Sequence, residues 1–395
     1  MTDITTIAAR CLNCGKPMCR LHCPANTDIP TFLAYVKDGN LQQAVQTVGH
    51  PFGEVCGYIC PHDEQCRGNC VLSRRGQAVD MPLCERTVFG EVGYDVARRG
   101  TKLVGKHVAV VGGGVSGVTF AVKCYEEGAS VTIYEAKGLL YTLYSLPQFR
   151  LPHEALDKIV AKVTDSDIAV VHEYVDNAKL QTLQTAYDYV YLACGTMVAY
   201  KLGIDGEGNG SVMAGIENAD EFLRADVVGN VIVVGGGNTA MDCARKNARS
   251  GGKTTICYRR KIDDMPAYAK EVQASVQDGV AMQTNLAPTR IVRQSDGKLV
   301  ATFAETINDG RGKLTITDVT HDFVCDYVVA ALGNGLDENT FATDRRVSVD
   351  DNGCVGGNLY CGGDAIGHSL VSEAVGDAKR AFAAICNTQG NNIDK

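Results

Sequence analysis

A chain of 395 residues, 45% hydrophobic and 21% charged, is long enough for two or three domains, each with its own core. Its net charge of −8, with no long basic run, gives no reason to expect a nucleic-acid or anionic-membrane surface. No signal peptide opens the sequence and no apolar run could span a bilayer, so the cytoplasm is the expected compartment.

Residues 1–100 read as short helical pieces threaded through cysteines. Nine of the seventeen cysteines fall in the first 84 residues: Cys11, Cys14, Cys19, Cys23, Cys56, Cys60, Cys66, Cys70 and Cys84. Without a secretory signal, so dense a set reads as metal-binding thiols rather than a disulfide scaffold. C-x2-C-x4-C-x3-C-P spans Cys11 to Pro24, and C-x3-C-P-x4-C-x3-C spans Cys56 to Cys70. Tight thiolate spacing with Cys-Pro is what iron–sulfur clusters use. Two zinc sites of four thiolates fit the count as well. His22, His50 and His62 lie among the cysteines and are not taken as ligands. Ile29 to Val48 reads as two helices broken at Asp38-Gly39-Asn40. Pro82 to Val96 starts a helix leading to the linker Arg98-Arg99-Gly100.

The stretch His107 to Ala136 carries the most specific signal. Val108 to Val111 predict a buried strand, and Gly112, Gly114 and Gly117 complete G-x-G-x-x-G. Such glycines permit a tight turn, close approach to a pyrophosphate, and helix–sheet packing. A helix to Glu127 and a strand Val131–Tyr134 follow, ending at Glu135, where a carboxylate can bind a ribose hydroxyl. An unliganded α/β turn is the competing reading. Leu139 to Pro152 reads as a loop, Glu154–Val163 as a helix, Ala169–Glu173 and Tyr187–Ala193 as strands. Cys194-Gly195-Thr196 is a turn where backbone can pass close to a cofactor.

A second dinucleotide turn follows the strand Val231–Val234. Gly235, Gly237 and Ala240 give G-x-G-x-x-A, with Asn238 and Thr239 opening the helix. The next strand, Thr254–Tyr258, ends in Arg259-Arg260 where NAD sites carry an acid. Paired guanidiniums suit the 2′-phosphate of NADP; a solvated strand end is the alternative. A helix at Tyr268–Gln277 precedes strands Thr289–Arg293, Leu299–Phe303 and Leu314–Val319, with a hairpin turn at Asn308–Gly312. Asp326–Ala331 is expected to be a strand returning to the first nucleotide domain. Leu359-Tyr360-Cys361 leads into Gly362-Gly363-Asp364 and a helix, Ser369–Ile385. Gly363 and Asp364 would edge a bound cofactor. The predicted fold is α/β: two Rossmann-like nucleotide-binding domains, one inserted in the other, preceded by a helical iron–sulfur domain. The expected boundaries are 1–100, 101–225 with 326–395, and 226–325.

These motifs (CLNCGKPMCRLHCPAN, CGYICPHDEQCRGNC, GGGVSG, LPQFRLP, VVGGGNTAMDCAR, YRRKIDDMPA and YCGGDA) resemble those of the NADPH-dependent glutamate synthase small (beta) subunit family. Its relatives include the large subunit of ferredoxin–NADP transhydrogenases and the N-terminal part of dihydropyrimidine dehydrogenase. The resemblance covers nearly the whole chain. It implies two [4Fe–4S] clusters, one on Cys11, Cys14, Cys19 and Cys70. The other would use Cys23, Cys60, Cys66 and a residue matching Glu85, leaving Cys56 non-ligating; the adjacent Cys84 competes for the fourth position. It implies FAD at the Gly112 turn, with Glu135 at its adenosine ribose and Asp364 near its ribityl and pyrophosphate. NADP(H) falls at the Gly235 turn, with Arg259 and Arg260 at the 2′-phosphate. Two departures stand out. Gly138-Leu139 and Tyr144-Ser145-Leu146-Pro147 replace the family's Gly-Gly and Tyr-Gly-Ile-Pro, and the chain is short around Ala199–Arg224.

The implied activity is electron transfer between NADP(H), FAD and clusters to a partner: a larger catalytic or electron-accepting subunit, or ferredoxin. Catalysis needs no general acid or nucleophile, because the cofactors carry the chemistry. C-x2-C occurs only at Cys11–Cys14, so neither nucleotide domain carries a redox-active dithiol. Two other readings stay open: an electron-bifurcating subunit, and a structural or relay subunit with reduced nucleotide binding. Apolar residues in Ile29–Tyr35 or Phe52–Ile59 either form part of a docking surface or pack the small domain's core.

Overall fold

Val108 to Val111 have no polar face to turn toward water, and they lie buried in the middle of a six-stranded sheet. They are seen in a computed structural model that describes residues 3–207, 216–308, 313–337 and 346–390. In order across this sheet run Cys354–Gly356, Leu359–Cys361, Tyr189–Leu192, His107–Val111, Ser130–Glu135 and Ala169–His172. All neighbours are parallel except the first pair. Parallel strands must be covered on both faces. Val115–Glu126 makes the crossover from the central strand to Ser130–Glu135, and the long helix Val371–Gly390 packs on it. Because Leu359–Cys361 pairs with Tyr189–Leu192, the sheet is assembled from segments on both sides of a long insertion.

The described residues fall into two compact units, one within 3–144, 148–197 and 336–390, the other within 145–147 and 198–335. The second unit holds its own five-stranded parallel sheet. Its order is Ile216–Asn218, Tyr327–Ala330, Asn230–Val234, Lys253–Tyr258 and Ala281–Thr284. The strand expected to return to the first sheet therefore belongs here: Val328 pairs with Ile232 and Ile216. An antiparallel meander, Leu286–Arg293, Leu299–Asn308 and Leu314–Cys325, packs Leu299, Ala301 and Phe303 onto the sheet residues Ile232, Val234 and Val328. Past Asn308, the expected hairpin turn lies outside the described residues.

The N-terminal region is helical: Ile4–Ala8, Met18–Leu21, Ile29–Lys37, Leu41–Val48, Gly53–Ile59 and Met81–Val92. The break at Asp38–Asn40 is real, with Gly39 at φ +70° between two helices. Asp80 caps Met81–Val92 by accepting from the Leu83 N–H at 3.2 Å. Ile29, Phe32, Leu33, Phe52 and Val55 are buried. The stretches considered for docking pack the core of this region instead. No helix among the described residues is long and apolar enough to cross a membrane.

Candidate functional site

Two groups of thiols gather in the N-terminal region, and among the described residues no cysteine is in a disulfide. Asn13, at φ +45°, turns the chain sharply between Cys11 and Cys14. These two cysteines, with Cys19 and Cys70, line a cavity of about 170 Å³ whose walls include Leu33, Met81 and Val71. Burial raises the Cys11 thiol, and the neighbouring Cys14 and Cys70 add to the shift. Burial likewise pushes Cys19 up to about 11, with Cys11 and Cys70 contributing.

Cys23, Cys60, Cys66 and Glu85 line a second, narrower cavity of about 20 Å³, together with Cys56, His62 and Ser372. Cys66, Ile29 and Met81 line both cavities, so the two sites share a wall. Glu85 is 6% exposed; burial, then the charge of Cys60, holds its carboxyl well above the usual range. Burial also raises Cys66 and Cys23, with Glu85 adding to each. Cys56 is raised first by its hydrogen bond with Cys60 and then by burial. Cys84 lies one residue along the same helix, about 100° away. It is buried apart from either cavity, and burial pushes it to about 12. His62 engages the Cys56 carbonyl through Nε2 at 2.8 Å, His50 Nδ1 accepts from the Phe52 N–H, and His22 Nδ1 lies 2.9 Å from the Met18 carbonyl. Among the described residues no three His, Cys, Asp or Glu side chains converge as for a single ion.

The donor sets fit iron–sulfur chemistry. Each gathers soft thiols whose charged forms repel one another in a poorly solvated pocket. A cationic core bound there would reverse that penalty and favour the deprotonated ligands.

The second group is tied to the helix that follows the G-G-D turn. Gly376 faces the Pro24 carbonyl so closely that a Cβ there would stand 2.3 Å from the oxygen. Lys379 donates from Nζ to the Ala25 carbonyl at 2.8 Å, and the Gln65 amide pairs with the Ser372 hydroxyl at 3.0 Å. One helix thus fixes both the loop after Cys23 and the loop before Cys66.

At the first glycine turn each glycine has a distinct job. Gly112 sits at φ +106°, and a Cβ would lie 2.2 Å from the Ala193 carbonyl. A Cβ on Gly117 would lie 2.0 Å from the Gly112 carbonyl, so helix and turn could not close. At Gly114 nothing lies within 4 Å of the Cβ position, which leaves an open cradle at the helix start. Glu135 accepts from the Gly113 and Lys137 N–H groups at 2.7 Å and from Gly138 at 3.2 Å. A carboxylate has about four lone-pair sites, so room for a hydroxyl remains. The substituted Leu139 lies over this turn, 2.7 Å from where a Gly113 Cβ would stand.

Gly363, at φ +74°, packs against Ser116 at the start of the same helix, and Ser116 bonds the Tyr191 hydroxyl at 2.7 Å. Asp364 lies near enough to Cys194 to raise its thiol, a shift to about 12 that burial dominates. Gly195, at φ +64°, is open on its Cβ side. The first turn, Glu135, the Cys194–Gly195 turn and Gly363–Asp364 therefore sit at the same edge of one sheet. Asp377 stands in no sequence motif. It is buried, accepts from the Gly363 N–H at 2.9 Å, and pairs with His368 and Arg380. An acid inside a helix carries no motif, and only its contact with the turn reveals it.

The second turn repeats this design. Gly235 lies at φ +148° with a Cβ position 2.3 Å from the Ala331 carbonyl, while Gly237 is open. Ala240 is fully buried where the third glycine would be. Asn238 accepts from the Tyr268 N–H at 3.0 Å, and Thr239 is exposed at the helix start. Arg259 is exposed and Arg260 half-buried; among the described residues neither guanidinium is in an ion pair.

The pyridine nucleotide-disulphide oxidoreductase family profile matches residues 106–381, which take in both turns and both sheets. The chain belongs to this family. Residues 1–92 match a second profile, dihydropyrimidine dehydrogenase domain II, 4Fe-4S cluster. Together with this N-terminal match, the oxidoreductase is homologous over most of its length to the glutamate synthase [NADPH] small chain. The chain from Escherichia coli (strain K12) is 29% identical, over 96% of this chain and 90% of that one. The Azospirillum brasilense chain is 28% identical, over 96% and 87%. FprA from Mycobacterium tuberculosis shares the fold, with a TM-score of 0.57 over 73% of this chain and 86% of that one, at 16% identity.

Proposed function

We propose that this oxidoreductase is the electron-input subunit of a complex, passing electrons between NADP(H), FAD and iron–sulfur clusters. The observation that carries the reading is one helix joining two sites. Val371–Gly390 follows the G-G-D turn at the first nucleotide site and grips the second thiol group through Ser372, Gly376 and Lys379. When bound, the cofactors would supply hydride acceptance and single-electron release. The chain's own work is to position them: Gly114 and Gly237 leave room for pyrophosphates, Glu135 meets a ribose, and the shared wall at Cys66 sets the two thiol groups side by side. We assign two [4Fe–4S] clusters, one to Cys11, Cys14, Cys19 and Cys70, the other to Cys23, Cys60, Cys66 and Glu85. The small-chain relatives imply a larger partner subunit that holds the terminal acceptor; ferredoxin is the alternative recipient.

Anaerobic NADPH added to the purified protein tests the reading. The flavin absorbance should bleach, cluster absorbance should follow, and no organic product should form without a partner. Turnover of glutamine, glutamate or a pyrimidine by the single chain would overturn it.

Two substitution pairs follow. Glu85→Ala should lower iron from about eight to about four per chain, while Cys84→Ser leaves it unchanged, because only Glu85 faces the second cavity. The reverse pattern would move the ligand to Cys84. Gly114→Val should reduce bound flavin at least about tenfold with circular dichroism intact, since its side chain enters open space where a pyrophosphate would approach. Gly112→Val should instead lower the melting temperature, because its Cβ meets the Ala193 carbonyl. Equal flavin content in Gly114→Val and the parent would remove FAD from this turn.

A further inference from the structure

The two thiol groups differ in their access to solvent. Cys60, Cys66 and Glu85 of the second are buried and only Cys23 is partly exposed, whereas Cys11, Cys14, Cys19 and Cys70 are each partly exposed. Around the first group the surface is apolar: Leu12 is 61% exposed, Met18 41%, Leu21 58% and Val71 47%. Leu12, Met18 and Val71 line the cavity of the four thiols, so this apolar surface is its outer rim. Exposed apolar side chains that converge on a site mark contact surfaces more than scattered ones do.

The charge at this rim opposes that of the whole molecule. Residues 10–23 and 64–77, which carry the first group, hold six Lys or Arg against one acid, in a chain of net charge −8. Arg20 and Arg67 are paired with Asp28 and Asp63, and Arg10 donates to the Gln77 carbonyl. Lys16, Arg74 and Arg75 are exposed and in no ion pair among the described residues. Lys16 lines the cavity, and Arg74 and Arg75 end the short helix that begins at Val71; cations beside an apolar centre are the complement of an acidic ring around an apolar centre. This arrangement steers encounter and fixes orientation.

Resting on the electron-input reading above, we infer that the rim formed by Leu12, Met18 and Val71, with Lys16, Arg74 and Arg75, is where an acidic electron-accepting protein docks. Its acceptor would be placed over the first thiol group. Cys11, Cys14, Cys19 and Cys70 would hold the cluster that, when bound, supplies single electrons to the partner's oxidised centre. No bond is made, and NADPH is the ultimate reductant.

The test compares two protein acceptors, an acidic plant-type ferredoxin and basic cytochrome c, with NADPH as donor. The parent should reduce ferredoxin at least about tenfold faster at low than at high salt, because screening removes the steering. Lys16→Glu/Arg74→Glu/Arg75→Glu should lose about tenfold on ferredoxin and gain on cytochrome c, with the rate of flavin reduction unchanged. Each single variant should shift the same ratio in the same direction, which guards against a misfolded triple variant. Salt-independent ferredoxin reduction, or an unchanged acceptor ratio in the variants, overturns the docking site. So does a triple variant whose only loss is binding to phosphatidylglycerol vesicles, which would make the rim a lipid surface. If NADPH fails to bleach the flavin of the parent, the electron-input reading itself has failed, and the two failures are thereby distinguished.

Discussion

Cys70→Ser should lower iron and acid-labile sulfide from about eight to about four of each per chain, and loosen the first thirty residues. Cys70 is the single member of the first group that comes from the second cysteine segment; Cys11, Cys14 and Cys19 all precede Cys23. A cluster on these four would therefore cross-link the N-terminal strap to the 60–80 loop. Apart from packing, the hydrogen bond from Arg10 to the Gln77 carbonyl is a direct polar tie between these stretches. The backbone at Cys70 does not depend on its thiol: its N–H bonds the Arg67 carbonyl at 3.2 Å, and its carbonyl accepts from Ser73 at 2.8 Å. Serine should thus leave the local turn standing while removing the ligand. Limited proteolysis near Leu12–Leu21 should accelerate in the variant. Cys56→Ser should keep iron near the parent value, since four other donors already line the second cavity. Unchanged iron in Cys70→Ser, or zinc in the parent, would defeat the assignment.

The parts of this protein that were legible in its sequence are those set by local chemistry. A run of four apolar residues, a glycine triplet and a largely apolar helix specify strand, turn and crossover without reference to distant segments. Both nucleotide turns are legible for this reason. What escaped depends on pairing across the chain. The strand Tyr327–Ala330 reads the same whichever sheet it joins, and only its pairing with Asn230–Val234 decides. The helix Asn177–Ala186 carries little sequence signal, because only Leu180 and Leu183 are buried and its start rests on the Asp176 cap. The strand Leu314–Cys325 runs six residues beyond the expected end through Thr320, His321 and Asp322. As an edge strand exposed along most of its length, it needs no apolar alternation. At the site, cysteine spacing announced metal ligation, but which thiols face one another is a property of the fold. Glu85 and Cys84 are neighbours in sequence and separate only when the helix turns one of them to the cavity.

Replacing both Arg259 and Arg260 by alanine should bring the NADPH and NADH rates of flavin reduction to near parity. A guanidinium–phosphate bond contributes roughly 1.5–3 kcal/mol, and about 1.4 kcal/mol is tenfold in binding, so one such contact gives the parent a preference of roughly ten- to a hundredfold. The fold should not suffer. Both residues are pinned by their carbonyls, Arg259 to the Thr306 hydroxyl at 2.7 Å and Arg260 to the Asn285 N–H at 3.1 Å, and alanine keeps those bonds. Neither side chain is in an ion pair among the described residues, so no buried partner is orphaned. Guanidinium stays charged at every working pH, whereas a phosphate monoester gains a proton near pH 6. The parent's preference should therefore be full above about pH 7, weaken as the pH falls through about 6, and shrink with added salt. Arg260→Lys should retain part of it, because an ammonium supplies charge without the two-pronged geometry. Stopped-flow reduction with each nucleotide, resolved into binding and hydride-transfer rates, separates these outcomes. A loss confined to the NADPH dissociation constant places the arginines on the 2′-phosphate, and equal dependence on both nucleotides in the parent reduces the pair to ordinary surface charge.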